Sequence, residues 1–216
     1  SEGRGTMLAA IAVALALWAG CAHAARSDGH TEEVKYVSYG SVVKLQHVKS
    51  GYRLHSHEVA YGSGSGQQSV TATPREDDHG SFWVVKAADA EEEPEQGTPI
   101  PCGSRIRLEH LLTKKNLHSH DHASPYGSYE VSAYGNDGLG DSGDDFELLC
   151  YPDSSVWQRF ATVSLRHIAT NRFLQANQKS VYGQPIQGQI EVSATPKKSG
   201  NTQWKTNEGI YYVERD

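Results

Sequence analysis

Residues 43–47, Val-Lys-Leu-Gln-His, begin a pattern that occurs three times in the chain. Ile106-x-Leu108-x-His110 and Val163-x-Leu165-x-His167 repeat it, and the histidines are offset by 63 and then 57 residues. In each copy a further leucine follows nine residues after the central one. Self-similarity at such a period indicates a fold built from repeated structural units.

Each copy continues with a Tyr-Gly pair: Tyr61-Gly62, Tyr126-Gly127 and Tyr182-Gly183. A short alternating segment follows, at residues 69–72, 130–133 and 191–194. An aromatic residue ends each copy: Trp83, Phe146 and Trp204. Alternation of apolar and polar residues is the period of a half-buried strand. Three units of four strands bury their apolar faces and hide their edges when they pack around a common axis. We therefore predict an all-β fold, a β-trefoil with pseudo-threefold symmetry, because three blades are too few for a β-propeller.

The predicted repeats span residues 36–88, 102–151 and 156–213. The alternation also predicts the core: Val43, Leu45, Leu54, Val70, Trp83, Ile106, Leu108, Leu117, Val131, Phe146, Val163, Leu165, Leu174, Val192 and Trp204.

Composition restricts the function classes. The 216 residues carry a net charge of −6, with 37% hydrophobic residues and 21 glycines. This balance, with a mean hydropathy of −0.58, is typical of a water-soluble, turn-rich chain. A nucleic-acid surface is not expected, because phosphate binding needs clustered Lys and Arg.

Residues 1–24 are predicted to be a signal peptide, with Met7 as the expected start. The apolar run 8–20 is short for a membrane helix, which needs about 20 residues, and Ala22-x-Ala24 is a typical cleavage site. An uncleaved anchor, or lipid attachment at Cys21, is the alternative. Once the signal is removed, Cys102 and Cys150 remain and are predicted to form one disulfide; two free buried thiols are the alternative.

Two acidic segments lie between the repeats or inside them. Residues 89–101 contain four glutamates and three prolines and are interpreted as a solvated linker, with an acidic docking segment as the alternative. Residues 136–145 contain four aspartates. They lack the spaced ligand pattern of a calcium loop, which favours a plain turn over a calcium site.

The three units resemble MIR motifs, which are shared by protein O-mannosyltransferases and the inositol-trisphosphate and ryanodine receptors. The chain from about residue 36 to 213 resembles the stromal cell-derived factor 2 family more closely. The resemblance is carried by Leu-His-Ser-His at 54–57 with the Tyr-to-Val string 61–70, by residues 116–120 with 130–135, and by Tyr-Gly-x-Pro-Ile-x-Gly at 182–188.

This resemblance implies a lumenal protein of the endoplasmic reticulum that takes part in protein quality control and the unfolded-protein response. Its expected partners are a DnaJ-type co-chaperone, through it a BiP-class chaperone, and misfolded client proteins. The printed chain ends without the retention tetrapeptide common in animal members of the family. Retention is therefore expected to come from a bound partner, unless the C-terminus is incomplete. A glycan-binding, lectin-like module that recognises O-mannose is the alternative.

His55-x-His57 and His118-x-His120 occupy equivalent positions, where residues i and i+2 of a strand share one face. They suggest either a metal site or hydrogen bonds to loop backbone, and Gln175 and Asn177 in the third repeat favour hydrogen bonds. Tyr61, Tyr126 and Tyr182 suggest either a sugar platform or tyrosines packed under loops beside turn-forming glycines. These seven residues form the candidate ligand or client surface: His55, His57, Tyr61, His118, His120, Tyr126 and Tyr182.

No catalytic constellation is present in the sequence. There is no Gly-x-Ser-x-Gly elbow, and Gly62–Gly66 lacks the Lys and helix of a phosphate loop. We expect no enzymatic activity, no cofactor and no bound metal.

Overall fold

The computed structural model describes residues 34–88 and 94–213. They form twelve strands: β1 Val42–His47, β2 Arg53–Ala60, β3 Gln68–Thr73, β4 Trp83–Ala87, β5 Arg105–His110, β6 Asn116–Ala123, β7 Tyr129–Tyr134, β8 Phe146–Tyr151, β9 Thr162–His167, β10 Arg172–Val181, β11 Ile190–Thr195 and β12 Trp204–Ile210. A short 3-10 helix precedes the fourth strand of each repeat: His79–Ser81, Ser142–Asp144 and Gly200–Thr202. The predicted signal peptide lies outside the described residues.

Six of the strands close into a ring. β1 pairs with β4, β4 with β5, β5 with β8, β8 with β9, β9 with β12 and β12 with β1, all antiparallel. The other six form three hairpins, β2–β3, β6–β7 and β10–β11, whose second strands pair with one another in a triangle. We call this triangle of hairpins the cap. A closed six-stranded barrel with a three-hairpin cap is the β-trefoil that the repeats predict.

All fifteen predicted core residues are completely buried. The aromatic positions show how the repeats differ in detail. The indole Nε1 atoms of Trp83 and Trp204 donate to the carbonyl oxygens of Leu54 and Leu174 at 3.1 Å. Phe146 occupies the equivalent place without a polar atom, so a core aromatic is required there and the hydrogen bond is optional.

The histidine that ends the first strand of each repeat is buried and joins two repeats. In His47, His110 and His167, Nδ1 lies 2.7–2.8 Å from the hydroxyl of the residue three positions later. Nε2 lies 2.9–3.0 Å from a backbone carbonyl oxygen in the 3-10 helix of the neighbouring repeat. A carbonyl oxygen only accepts, so Nε2 carries the proton and Nδ1 accepts. Burial lowers the pKa of all three imidazoles, which keeps them neutral in this arrangement.

At the opposite end of the barrel from the cap, the segments that enter the three repeats pair with one another. We call residues 36–38, 98–101 and 156–158 the lead-in segments. Single β-bridges join Tyr36 to Gln158, Ser38 to Pro99 and Pro101 to Val156. The centre of each segment, Val37, Ile100 or Trp157, is completely buried. The lead-in segments therefore close the second end of the barrel.

The interpretation of residues 89–101 as a solvated linker is wrong for its last residues. Ile100 is completely buried, and its N–H donates to the carbonyl of Val37 at 3.0 Å. The prediction relied on the acidic composition of the preceding residues. Composition does not reveal that the last residues form a short extended segment, which pairs with a distant part of the chain. Residues 89–93 lie outside the described part, and the repeat boundaries stay a prediction.

Cys102 and Cys150 form the predicted disulfide, with their Cα atoms 5.8 Å apart. Cys102 precedes β5 and Cys150 lies in β8, and these two strands are paired. The bond therefore joins the beginning of the second repeat to its last strand.

Candidate functional site at the hairpin cap

The His-x-His pairs lie on the first hairpin strand of their repeats, and the second histidine of each pair lies within a β-bulge. The register of β2 against β3 shifts between Ser56 and Ala60, and that of β6 against β7 shifts between Ser119 and Ala123. Bulges re-aim side chains. Here the second histidine of each pair contacts a polar side chain of the partner strand, Ser69 in β3 or Glu130 in β7.

In the first repeat, four side chains form one hydrogen-bonded row. Asp78 Oδ2 lies 2.7 Å from Nδ1 of His55, Nε2 of His55 lies 2.8 Å from Nδ1 of His57, and Nε2 of His57 lies 2.9 Å from the hydroxyl of Ser69. Every ring nitrogen of the two histidines is already bonded. The pair is therefore a hydrogen-bonding element whose ring nitrogens are all occupied, although its partners are side chains and not the loop backbone that the sequence predicted.

The charges along this row are set by burial and neighbours. Burial lowers the pKa of His57 to about 4, helped by the adjacent His55. Burial alone would raise the pKa of the Asp78 carboxyl, but hydrogen bonds from His55 and Ser81 lower it to about 2. At neutral pH the row consequently contains an ionised Asp78 and a neutral His57.

In the second repeat, the equivalent histidine meets two aspartates of the acidic loop. Nδ1 of His118 lies 2.9 Å from Asp144 Oδ1 and 3.6 Å from Asp141 Oδ1. The three donor atoms lie within 4.8 Å of one another, the one such group among residues 34–88 and 94–213. Asp141 also accepts from the N–H of Gly143, and Asp144 accepts from the N–H of Asp141 and from Asn116.

These bonds form the capping box of the 3-10 helix Ser142–Asp144. The carboxylate oxygens that a cation would need are thus already satisfied by N–H groups. The group fits a loop-closing role better than a calcium site.

His120 contacts a buried carboxylate that was not among the candidate residues predicted from the sequence. Its Nε2 lies 3.1 Å from Oε1 of Glu130, whose side chain is 1% exposed. The hydroxyl of Ser65 and, at 3.4 Å, its N–H donate to the same carboxylate. Burial lowers the pKa of His120, and the charge of Glu130 opposes that shift. Glu130 is held between two repeats, because Ser65 belongs to the first and His120 to the second.

The hairpin loops connect the repeats in a cycle. The loop of the first repeat reaches the second, where Ser132 donates to Gln67. The loop of the second reaches the third, where the N–H of Tyr126 donates to Glu191 at 3.0 Å. The loop of the third returns to the first, where Thr71 donates to Gln189. Each repeat is therefore incomplete without its neighbour.

The three tyrosines of the candidate surface lie in different environments. The Tyr61 hydroxyl donates to the carbonyl oxygens of Val70 and Val131 at 3.1 and 2.9 Å, so this ring is a structural link between two repeats. Burial raises the pKa of Tyr61 and of Tyr182. Tyr126 is 48% exposed, and its ring meets that of Tyr182 edge to face at 5.4 Å between centroids. Tyr126 alone of the three presents a large exposed aromatic surface.

The glycines beside these tyrosines do not share one role. Only Gly127 has a positive φ, at 84°, as the turn interpretation requires. In the first repeat the left-handed positions are Gly64 and Gly66 instead. Equivalent Tyr-Gly pairs therefore start loops of different shape, which sequence alignment of the repeats does not reveal.

Among the described residues, no helix has both the length and the apolar character needed to cross a membrane. Together the barrel, the cap and its His-x-His hairpins define a MIR-type β-trefoil, and the MIR domain family matches residues 54–205. The stromal cell-derived factor 2-like protein of Dictyostelium discoideum is 46% identical over 83% of this chain and 85% of its own. The chain belongs to the stromal cell-derived factor 2 family.

Solved structures agree with this assignment. The crystal structure of the SDF2-like protein from Arabidopsis thaliana is 41% identical, with a TM-score of 0.80 over 84% of this chain and 99% of that one. The S. cerevisiae protein O-mannosyltransferase Pmt1-Pmt2 complex, solved with its sugar donor, is 26% identical, with a TM-score of 0.72 over 82% of this chain and 26% of that chain.

Proposed function

We propose that this protein is an accessory subunit in the lumen of the endoplasmic reticulum that takes part in protein quality control. It binds a DnaJ-type co-chaperone, through it a BiP-class chaperone, and their misfolded clients. The observation that carries the proposal is the set of hydrogen bonds that join the three hairpins of the cap, in a chain of the stromal cell-derived factor 2 family. A cap whose polar atoms bind one another is a rigid surface for contact.

The exposed part of the cap suits protein contact. Tyr126 and Val181 are each about half exposed, and the Tyr126 hydroxyl donates to the carbonyl of Val181. Val59, in the bulge of β2, is also exposed. An aromatic ring of fixed orientation beside an exposed aliphatic residue, as Tyr126 is beside Val181, can bury apolar area at low entropic cost. We therefore place the contact surface around Tyr126.

A catalytic use of the cap is not supported. Asp78, His55, His57 and Ser69 follow the order acid, imidazole, imidazole, hydroxyl, which resembles the row of a serine hydrolase. However, Ser69 is 2% exposed and its hydroxyl donates to the carbonyl of Val59 at 2.7 Å. A buried, hydrogen-bonded hydroxyl cannot reach a substrate, so we propose a non-enzymatic role.

A glycan-binding module is the second candidate, and one observation favours it. Tyr126 and Tyr182 form an edge-to-face pair with one exposed ring, the kind of aromatic surface on which a sugar ring can pack. The similarity to a mannosyltransferase complex makes O-mannose the sugar to test first.

The two candidates are separated by capture of the tagged protein from endoplasmic-reticulum extract, with and without free mannose. The accessory-subunit proposal predicts near-stoichiometric recovery of a DnaJ-type co-chaperone that resists mannose. Tyr126→Ala should reduce this recovery, while Tyr212→Ala, which removes a similarly exposed tyrosine near the lead-in segments, should not. Release by mannose, or recovery of glycoproteins alone, would support the lectin instead.

A further inference from the structure

A cavity lies at the end of the barrel away from the cap. It measures about 320 Å³ and is lined by Val34, Lys35, Tyr36, Gln158, Arg159 and Phe160. Two of its lining residues are cationic, two are aromatic, and none is acidic. Tyr36 is 43% exposed and Phe160 is 51% exposed, so both rings border the opening.

Arg159 differs from the other well-buried arginines in the charges that surround its guanidinium group. Arg53, Arg107 and Arg172 each lie within 3.0 Å of a carboxylate oxygen. Arg159 is only partly exposed, and neither it nor Lys35 has a carboxylate within ion-pair distance in the described part of the chain. A half-buried cation without a counter-ion is unfavourable, and a bound anion would compensate it.

The guanidinium of Arg159 is nevertheless held in place. Its Nη1 donates to the carbonyl of Val34 at 3.0 Å. The central guanidinium carbon, Cζ, lies 4.3 Å from the ring centre of Tyr211 and 4.8 Å from that of Phe160. Nε is buried and makes no hydrogen bond of normal geometry. The aromatic contacts orient the guanidinium plane without neutralising its charge.

Phe160 has an unusual backbone for a bulky residue. Its φ is +64°, a left-handed conformation that costs about 1 kcal/mol or more in a residue other than glycine. The exposed ring recovers little of this cost by burial. The turn before β9 imposes this conformation, because Gly40 and Gly103 occupy the equivalent positions in the other two repeats with φ of +81° and +88°.

We propose that this cavity binds a peptide carboxylate that lies next to an apolar side chain. The two cations supply charge complementarity, Arg159 can bind a carboxylate through a bidentate fork, and the two rings cover the neighbouring apolar group. The carboxylate has two sources, the free C-terminus of a peptide or an acidic side chain within it. A sugar is disfavoured, because hydroxyl groups are usually bound by carboxylates and amides and Gln158 is the one such side chain in the lining.

The test follows the amide signals of isotope-labelled protein by NMR during titration with three probes. These are acetyl-Gly-Gly-Leu with a free carboxylate, the same tripeptide amidated, and amidated acetyl-Gly-Glu-Leu. We expect the carboxylate probes to shift the signals of Lys35, Tyr36 and Phe160, and the amidated tripeptide to leave them unchanged. Binding of the first probe alone assigns the site to a C-terminus, and binding of the third assigns it to an acidic side chain.

Arg159→Gln should weaken the binding of the carboxylate probe by at least about tenfold, because it removes a charge-assisted hydrogen-bonded pair. The matched control is Arg105→Gln, which removes an exposed arginine of β5 that also has no carboxylate partner in the described residues. Full binding by Arg159→Gln, equal binding of acid and amide, or binding of glucuronate but of no peptide would each overturn the proposal. The site is independent of the cap, so Arg159→Gln should still recover the co-chaperone.

Discussion

His47 makes acid destabilisation of the fold a quantitative prediction. Its imidazole is completely buried against Trp204, with ring centres 5.1 Å apart. Burial lowers its pKa from 6.5 to about 4; the hydrogen bond to the Asn201 carbonyl opposes this shift and the charge of Lys49 reinforces it. In the unfolded chain the imidazole is solvated and titrates near its ordinary value, about 6.5.

The sign and size follow from linkage. Because the folded-state pKa is the lower one, the unfolded chain takes up a proton first as the pH falls below about 6.5. The stabilisation is thus present above that pH and is lost toward about pH 4, at up to about 1.4 kcal/mol per pH unit. Between about pH 7 and about pH 5, His47 alone should lower the free energy of unfolding by about 2 kcal/mol.

The perturbation is His47→Gln, since a carboxamide can donate to the Asn201 carbonyl and accept from Ser50 but does not titrate. Urea unfolding is followed at both pH values by tryptophan fluorescence, with the disulfide intact. Whatever its stability at neutral pH, the variant should lose about 2 kcal/mol less than the parent between the two pH values.

The control is His79→Gln, which removes an imidazole that is exposed in the folded state. It should keep the pH dependence of the parent. If His47→Gln loses as much stability as the parent between the two pH values, the imidazole is not held neutral by burial and the reasoning is refuted.

Three further predictions concern stability. Gly64→Ala should destabilise the protein by about 1 kcal/mol more than Gly66→Ala; both positions have positive φ, but only the first would place a Cβ against Glu130. Equal urea midpoints for the two variants would contradict this. Cys150→Ser should cost about 4 kcal/mol in the chain-entropy model, since the disulfide closes a separation of 48 residues, and a loss below about 1 kcal/mol in urea unfolding would argue against it. Calcium should not change the melting temperature in calorimetry, because Asp141 and Asp144 of loop 136–145 already accept hydrogen bonds; an increase that EDTA reverses would show a cation site.

The architecture could be predicted because it repeats. The period-two alternation in each copy identifies the strands, and the position of Leu45, Leu108 and Leu165 in every copy identifies the inward face. The disulfide followed from having two cysteines at the borders of one repeat. These features are local or periodic, so they can be recognised without knowing which strands become neighbours.

The candidate site could be predicted only in outline. The His-x-His pairs were expected to bond loop backbone, but their partners are side chains: Asp78 and Ser69 in the first repeat, Asp144 and Glu130 in the second. Their partners Asp78 and Asp144 were not identified, because they lie 23 and 26 residues away from the histidines that they bind. Glu130 was noted only as part of an alternating strand. Because it alternates with the core residue Val131, the sequence gave no sign that its side chain is buried.

The sequence alone determined that the chain forms three similar units around a shared core, since alternation and spacing are properties of neighbouring residues. It could not determine how equivalent residues differ. Tyr61 is partly buried while Tyr126 is 48% exposed, and Gly127 has a positive φ that Gly62 lacks. Those differences arise where one repeat meets the next, through contacts between residues far apart in the chain, and so they appear only once the barrel has closed.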